Sequence, residues 1–466
     1  MYRTLAAKFP RDSDMPARAW RLGVLRAVLT GHLYDVLHTP FHVEVNDAGE
    51  TIRLLDRRPS VRTGWCRTVV EDSASMVFDD SHFPAIDCAD EPTREALRRL
   101  VKETGLAAVM LEAAVMGAVG SVAVSLRILK SRIYFEALAT ETLTPFWDPE
   151  APDTLLRVRE QYKVKGTDLQ ALGYRLEQPD AVHWFRRDWT AEGEDWYLPW
   201  PVDGEAAPLL DPARSTAHGL GFVPMVWIRN LPGGDEIDGA PTVPDDAICT
   251  MIEADYQLSQ AGRGLRYSAD PKLVIMGQPE NTKISLTKAL VLPDGDSDAK
   301  LLEIDGEAVA RVIDYVRCLR EIALEAMHGN RADPQKLATA QSGRAMELMN
   351  QALICLAGRL RSSYGEGGLL GLLRLVVRAG QALPLSICGK VVEPGTLSVE
   401  APLSLKWPSW YASTAEDRRA NTQAIKTARD AGIMSLESGI AAIAHDYDIE
   451  DQAAERARIL AESGAG

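Results

Sequence analysis

Residues 245–268 read DDAICTMIEADYQLSQAGRGLRYS and residues 307–327 read EAVARVIDYVRCLREIALEAM, and these two stretches decide the fold. In the first, Ile248, Met251, Ile252, Leu258 and Leu265 recur at helical spacing behind Pro244 and Asp245, a start signal with Asp245 as a plausible N-cap. In the second, Val309, Val312, Ile313, Val316, Leu319, Ala323 and Ala326 form a cleaner stripe. Only about 38 residues separate them, and these read as three short strands, 272–276, 284–292 and 301–304. The expectation is two long helices with a small β module inserted at one end.

Outward toward the N-terminus, GFVPMVWIRN (221–230) is an apolar strand interrupted by Pro224, which argues for an edge position or an irregular bend. Before it, SVAVSLRI, RIYFEAL, LLRVREQYKV, AVHWFRRDW and DWYLPW alternate as strands do, with a polar turn at 191–194. Helical runs are expected at 16–37, 66–78 and 92–116, with β-like pieces at 41–45 and 51–55. The first ~240 residues are therefore α+β with a broad antiparallel sheet. Toward the C-terminus, the polar stretch HGNRADPQKLATAQ (328–341) leads into a helix over 342–360, which continues to 383 with a kink or stop at YGEGG (364–368). A strand at 403–407 precedes three helices: Ser413 and Glu416 fit a capping box, Gly432 a C-terminal cap, Ser435 the next N-cap, and Asp448 precedes a last helix over 449–462.

At 466 residues the chain is long enough for two to four structural units. Its 46% apolar and 25% charged residues exclude a fibrous or wholly disordered protein. The net charge of −15 excludes a general DNA-coating protein, because affinity for phosphates comes from clustered Lys and Arg. Six dispersed cysteines, with no CxxC pair, read as buried thiols of a reducing compartment. The N-terminus lacks a signal-peptide apolar core, and the nearest thing to a membrane span, LLGLLRLVV (369–377), is short and contains Arg374, so a soluble protein with a buried helix there is expected.

No motif for catalysis or cofactor binding emerges. Gly389 and Lys390 lack the upstream glycine of a phosphate-cradling loop, the glycine groups GAVGS and GEGGLLG miss the dinucleotide spacing, and the eight histidines are scattered. Asp294, Asp296 and Asp298 alternate as calcium-loop ligands do, but Ala299 replaces the turn glycine and Asp305 the bidentate glutamate, so a solvated acidic loop is the reading. The neighbours His445 and Asp446 have no nucleophile to serve and read as surface residues at a helix end. Tryptophans 184, 189, 196, 200, 227, 407 and 410 read as core and inter-subunit packing more than as base-stacking platforms. Arg331, Lys336 and Arg344 form a short cationic patch, equally a phosphate contact or a solvated loop and helix start.

The order of elements, with VVEDSASMVF (69–78), TLTPFWDPE (142–150), GFVPMVWIRN (221–230), SGRAMELMNQAL (342–353), LKWPSWYASTAEDRRANTQAIKTARDAGIMSLESGI (405–440) and YDIEDQAAERARI (447–459), resembles the portal protein of tailed bacteriophages, the long-tailed type above all. The likeness covers nearly the whole chain and lies in the order and character of segments. It implies a ring, commonly of twelve subunits, at one capsid vertex of the virion, made in the host cytoplasm, through which double-stranded DNA is packaged and ejected. Residues 1–240 would be the wing, 241–269 and 307–327 the stem helices, 270–306 the clip, 328–341 the tunnel loop, 342–408 a kinked helix returning to the wing and 409–466 the crown. Arg331, Lys336 and Arg344 would touch DNA. Asp294, Asp296 and Asp298 would lie on the clip surface that docks the terminase large subunit and the head–tail adaptor. Major capsid and scaffold proteins would be further partners; no membrane, metal, cofactor or enzymatic activity is implied. The short, acidic clip departs from the family pattern. Two other classes compete: a nucleic-acid-processing enzyme such as a nuclease, which would need carboxylates converging on two metals, and a phage scaffold or adaptor without a pore.

Overall fold

The computed structural model describes residues 1–203, 207–269, 272–276, 298–302, 307–329, 347–348, 350–411, 415–444, 447, 449 and 452–463. The protein is α+β, 44% helical and 21% strand. It divides into two compact units, Met1–Glu71 with Val115–Ala123 and Ala137–Met327, and Asp72–Ala114 with Val124–Glu136 and His328–Gly466.

The first unit holds the broad sheet that alternation predicts. Strands Leu209–Leu210, Gly193–Leu198, Val182–Thr190, Leu155–Lys165 and Leu143–Trp147 lie side by side in that order, every pairing antiparallel, with Trp200–Pro201 and Thr216–Ala217 adding short flanks. The central ladder runs unbroken from Arg157 opposite Thr190 to Lys165 opposite Val182. Period-two alternation puts Val158, Phe185 and Trp189 on one face, where Val158 and Trp189 pack with Leu143, Val223, Met225 and Trp227, and Phe185 with Leu169 and Tyr174. The opposite face gathers Arg159 and Arg186 on Asp188, at 3.1 and 2.8 Å. Burial alone would raise the Asp188 carboxyl, but the two guanidiniums hold it below its ordinary value. Strand Met225–Arg229 begins just after Pro224, so the proline ends the irregular lead-in and does not interrupt the strand.

Beside the sheet, Arg18 of helix Ala17–Leu29 reaches a second buried carboxylate. Its Nε and Nη2 donate to Asp238 at 2.8 Å each, Ser121 Oγ donates to the same group at 2.6 Å, and Nη1 donates to the carbonyls of Thr140 and Leu143. The helix expected over 16–37 stops at Leu29, where the chain turns through Gly31 at φ 80°; Leu33, Tyr34 and Leu37 are still buried, so the apolar pattern persisted beyond the helix.

In the second unit, helix Glu91–Thr104 starts at Asp90, whose Oδ2 accepts from the Thr93 amide at 3.0 Å, and ends at Gly105 in the left-handed region, φ 61°. The single helix expected over 92–116 is therefore two, the second being Leu106–Gly117. Of the kink or stop predicted at 364–368, the stop is corrected: the irregularity there is a change of helix type. Gln351–Leu360 runs into a π-helical segment, Arg361–Leu369, and on into Leu370–Ala382 without stopping. Gly365 permits the close approach of the Trp407 indole, which a Cβ at that position would strike. Within LLGLLRLVV, Leu369, Leu370, Leu372, Leu373, Val376 and Val377 are buried, as expected. Among the described residues no helix is long and apolar enough to cross a membrane. Strands Ala85–Cys88 and Leu403–Lys406 pair antiparallel, and Leu385–Ile387 pairs with Lys390–Val392. In the tail, Gly432 adopts φ 72° after helix Ala415–Asp430, and Ser435 Oγ accepts from the Ser438 amide at 3.1 Å to start Leu436–Ile443. The last helix is Gln452–Ser463; Ser413 and Asp448 lie outside the described residues.

The cysteines correct the sequence reading in part. Cys66 and Cys88 are buried, and burial holds the Cys66 thiol at about 12, far from a reactive thiolate; Cys318, Cys355 and Cys388 are exposed.

Candidate functional site

The two long helices form where their stripes place them, Asp245–Ala269 and Glu307–Ala326, and they pack on each other. Ala247, Ile248, Met251, Ile252 and Ala254 of the first are buried. In phase with Ile248 and Ile252, however, stand Asp255 and Ser259, polar groups on the inward face. Asp255 is 1% exposed, a depth at which an unpaired carboxylate costs several kcal/mol, on the order of the effective desolvation penalty per ion. It is not unpaired. Tyr34 Oη donates to Oδ2 at 2.8 Å, and Thr63 donates to Oδ1 through both its amide, at 2.7 Å, and its hydroxyl, at 2.9 Å. Burial pushes the carboxyl above its ordinary value; the hydrogen bonds from Thr63 and Tyr34 oppose that rise without cancelling it.

Neighbouring side chains extend the same attachment. Tyr256 Oη donates to the carbonyls of Arg57, at 2.9 Å, and Leu55, at 3.3 Å, and its ring meets Tyr34 edge-on at 6.2 Å. Ser259 Oγ donates to the Asp255 carbonyl at 2.7 Å and accepts the amides of Ser60 and Val61, both at 3.0 Å. Residues 55–63 are thus strapped across the first helix by hydrogen bonds whose other ends are nearly all buried.

The second helix meets the first through an apolar seam: Val316 and Leu319 pack on Ala254, flanked by Val312, Leu258 and Trp65. Ala323, Leu324 and Met327 are buried as well. Ile313, expected within the stripe, is instead 43% exposed. The buried positions 316, 319 and 323, with half-buried Val312, follow a narrower line than the apolar residues of the sequence, which leaves Ile313 outside it. Tyr315, Cys318 and Ile322, at i, i+3 and i+7, form a further exposed row, apolar at both ends, with Tyr315 47% and Ile322 51% exposed. Beyond the helices, Lys272–Met276 pairs antiparallel with Asp298–Leu302, from Lys272 opposite Leu302 to Met276 opposite Asp298, so a β tip joins their two strand-bearing ends.

Of the residues singled out in the sequence, Asp298 opens the second strand of that tip. Asp294, Asp296, Arg331, Lys336 and Arg344 lie outside the described residues, as does the expected strand at 284–292. The anchors Tyr34, Thr63, Asp255, Tyr256 and Ser259 were missed. Their signal was present in EADYQLSQ, where a carboxylate and a hydroxyl share the phase of the apolar stripe. Among the described residues, no group of three or more His, Cys, Asp or Glu is placed to hold a metal. The arrangement offers a braced pair of rods with one side left uncovered.

No protein-family model matches the chain, and no curated protein matches it. Among solved structures, it is similar to a chain of the neck of an empty gene transfer agent particle computed with C6 symmetry, at 13% identity and a TM-score of 0.40, covering 81% of this chain and 88% of that one. It is also similar to a chain of the virion of a native gene transfer agent particle, at 12% identity and a TM-score of 0.38, covering 81% and 87%. Scores this low say nothing of what the chain does.

Proposed function

We propose that the protein is a portal protein, a subunit of a ring-shaped channel at one capsid vertex through which double-stranded DNA is packaged and ejected. The observation that carries this reading is the helix–β tip–helix unit: Asp245–Ala269 and Glu307–Ala326 packed along one seam, joined through paired strands, with the row of Tyr315 and Ile322 exposed on the second helix. A lone globule gains nothing from exposing that row, whereas identical rods set side by side around an axis cover it. In this reading the rods are the stem, the β tip with Asp294, Asp296 and Asp298 is the clip that docks the terminase and the adaptor, and Arg331, Lys336 and Arg344 line the narrowest part of the pore.

The net charge of −15 suits such a conduit. Each phosphate ion pair held by the wall must be broken as the duplex advances, so a repelling wall with few basic contacts keeps DNA mobile. Negative-stain microscopy of the purified full chain is the test. Rings with an axial opening are expected, whereas a uniform monomer that cleaves DNA with a divalent metal replaces this reading with the nuclease. In assembled heads, replacing Arg331, Lys336 and Arg344 together with Ala is expected to lower DNA packaging or retention while rings still form.

A further inference from the structure

Where the strap crosses the first long helix, the two enclose a concavity of about 470 Å³ whose lining includes His42, Arg58, Arg62, Arg263 and Arg266. In a chain of net charge −15 this is a local reversal of sign. Two of the guanidiniums are already engaged. Arg62 donates to the Gly31 carbonyl at 2.6 Å, lies 3.4 Å from Asp35 and stacks on Tyr34, and Arg263 pairs with Glu44. The other two are not: Arg58 and Arg266 are exposed and have no acidic partner among the described residues.

Their positions are held, not adventitious. Arg58 and Arg62 sit on the strap that Tyr256 and Ser259 bind through the carbonyl of Arg57 and the amides of Ser60 and Val61. Arg263 and Arg266 follow Ser259 at i+4 and i+7 on the facing side of the helix. Gly262, also in the lining, leaves room beside them, since a Cβ there would meet nothing within 4 Å. The geometry therefore presents several guanidinium forks to one open volume.

The chemistry of those forks selects the ligand. A carboxylate can be satisfied by one planar fork, whereas a phosphate presents its oxygens tetrahedrally and accepts from several forks at once. We propose that this concavity is a phosphate-binding site, with Arg58 and Arg266 as its free donors. The phosphate has two possible sources, the backbone of a nucleic acid or a small phosphorylated solute, and the site does not depend on the channel reading.

The test titrates the full chain and its R58Q/R266Q variant with inorganic phosphate, with a short fluorescent DNA duplex over a series of salt concentrations, and with a glutamate-rich peptide. The variant is expected to bind phosphate at least about tenfold more weakly, the loss of two charge-assisted contacts. If the nucleic-acid backbone is the source, the slope of log affinity against log salt also becomes shallower by about 1.8, two contacts at ~0.9 each. Weaker phosphate binding with an unchanged DNA slope assigns the same site to a small solute. R266Q alone, at an exposed helical position, repeats the measurement with one contact should the double variant unfold. Equal behaviour of both chains toward inorganic phosphate and duplex, or a site that takes the peptide in preference to both, overturns the proposal.

Discussion

The two rods are packed against each other yet secured by different physics. Asp245–Ala269 is fixed through Asp255, Tyr256 and Ser259, whose hydrogen bonds to Tyr34, Thr63 and residues 55–61 are directional and buried. Glu307–Ala326 meets it through Val312, Val316 and Leu319, contacts that reward burial without dictating register. The first rod's attachments are completed within the chain. The second keeps Ile313, Tyr315 and Ile322 in solvent. A polar lock fixes where one rod stands, and the other rod is left with surface to offer.

The largest effect should come from breaking the lock. Asp255→Ala strands the Thr63 amide and hydroxyl and the Tyr34 hydroxyl in a buried site, at roughly 1–3 kcal/mol for each donor left without an acceptor. We expect a loss of about 4 kcal/mol, read from the urea midpoint at constant slope. Next comes the seam: Leu319→Ala removes a side chain only 7% exposed and should cost about 3 kcal/mol. A lock variant that proved cheaper than the seam variant would reverse the ranking drawn here.

Asp255→Asn sharpens the comparison by pH. The native carboxyl of Asp255 sits above its ordinary value, so between the unfolded and native values the folded chain binds more protons than the unfolded one. Stability from this group is therefore complete below the unfolded value and is lost as pH rises through the native one. The amide cannot titrate. The stability of the unsubstituted chain relative to Asp255→Asn should grow as pH falls from neutrality into the carboxylate range, and at neutrality Asn should cost far less than Ala. A difference that stays flat with pH would mean that burial does not raise this carboxyl.

Why the rods were legible while their lock was not follows from the range of each interaction. A helix with an apolar stripe is written in spacings of three and four, so 245–268 and 307–327 could be bounded to within a residue or two. The sheet was equally readable, because alternation in LLRVREQYKV and AVHWFRRDW is a local property. The lock pairs Asp255 with Tyr34 and Thr63, roughly two hundred positions away, and no periodicity encodes such a partner. The same holds at Gly365, read as a breaker because its role is to admit Trp407. Helix ends at Leu29 and Gly105 were overrun for a simpler reason: apolar residues continued past glycines whose positive φ ended the helices. The cationic concavity went unseen because Arg58 lies between the elements read from the sequence and Arg266 on a helix far along the chain, and only the fold brings them together.

The smallest effect on stability should come from the uncovered row, and it bears most directly on the proposed assembly. Tyr315→Ser with Ile322→Ser changes two side chains that are about half exposed, outside the seam, with little change in helix propensity. The folded chain should lose no more than about 0.5 kcal/mol, the ordinary range for surface positions. If identical rods cover this row in a ring, each subunit interface loses an aromatic and an aliphatic contact, repeated around the circle. The assembled mass measured by light scattering should then fall while the urea midpoint scarcely moves. A ring of undiminished mass would place the row in solvent even in the assembly, and the second rod would then face the pore or the outside with apolar groups that serve no contact between subunits.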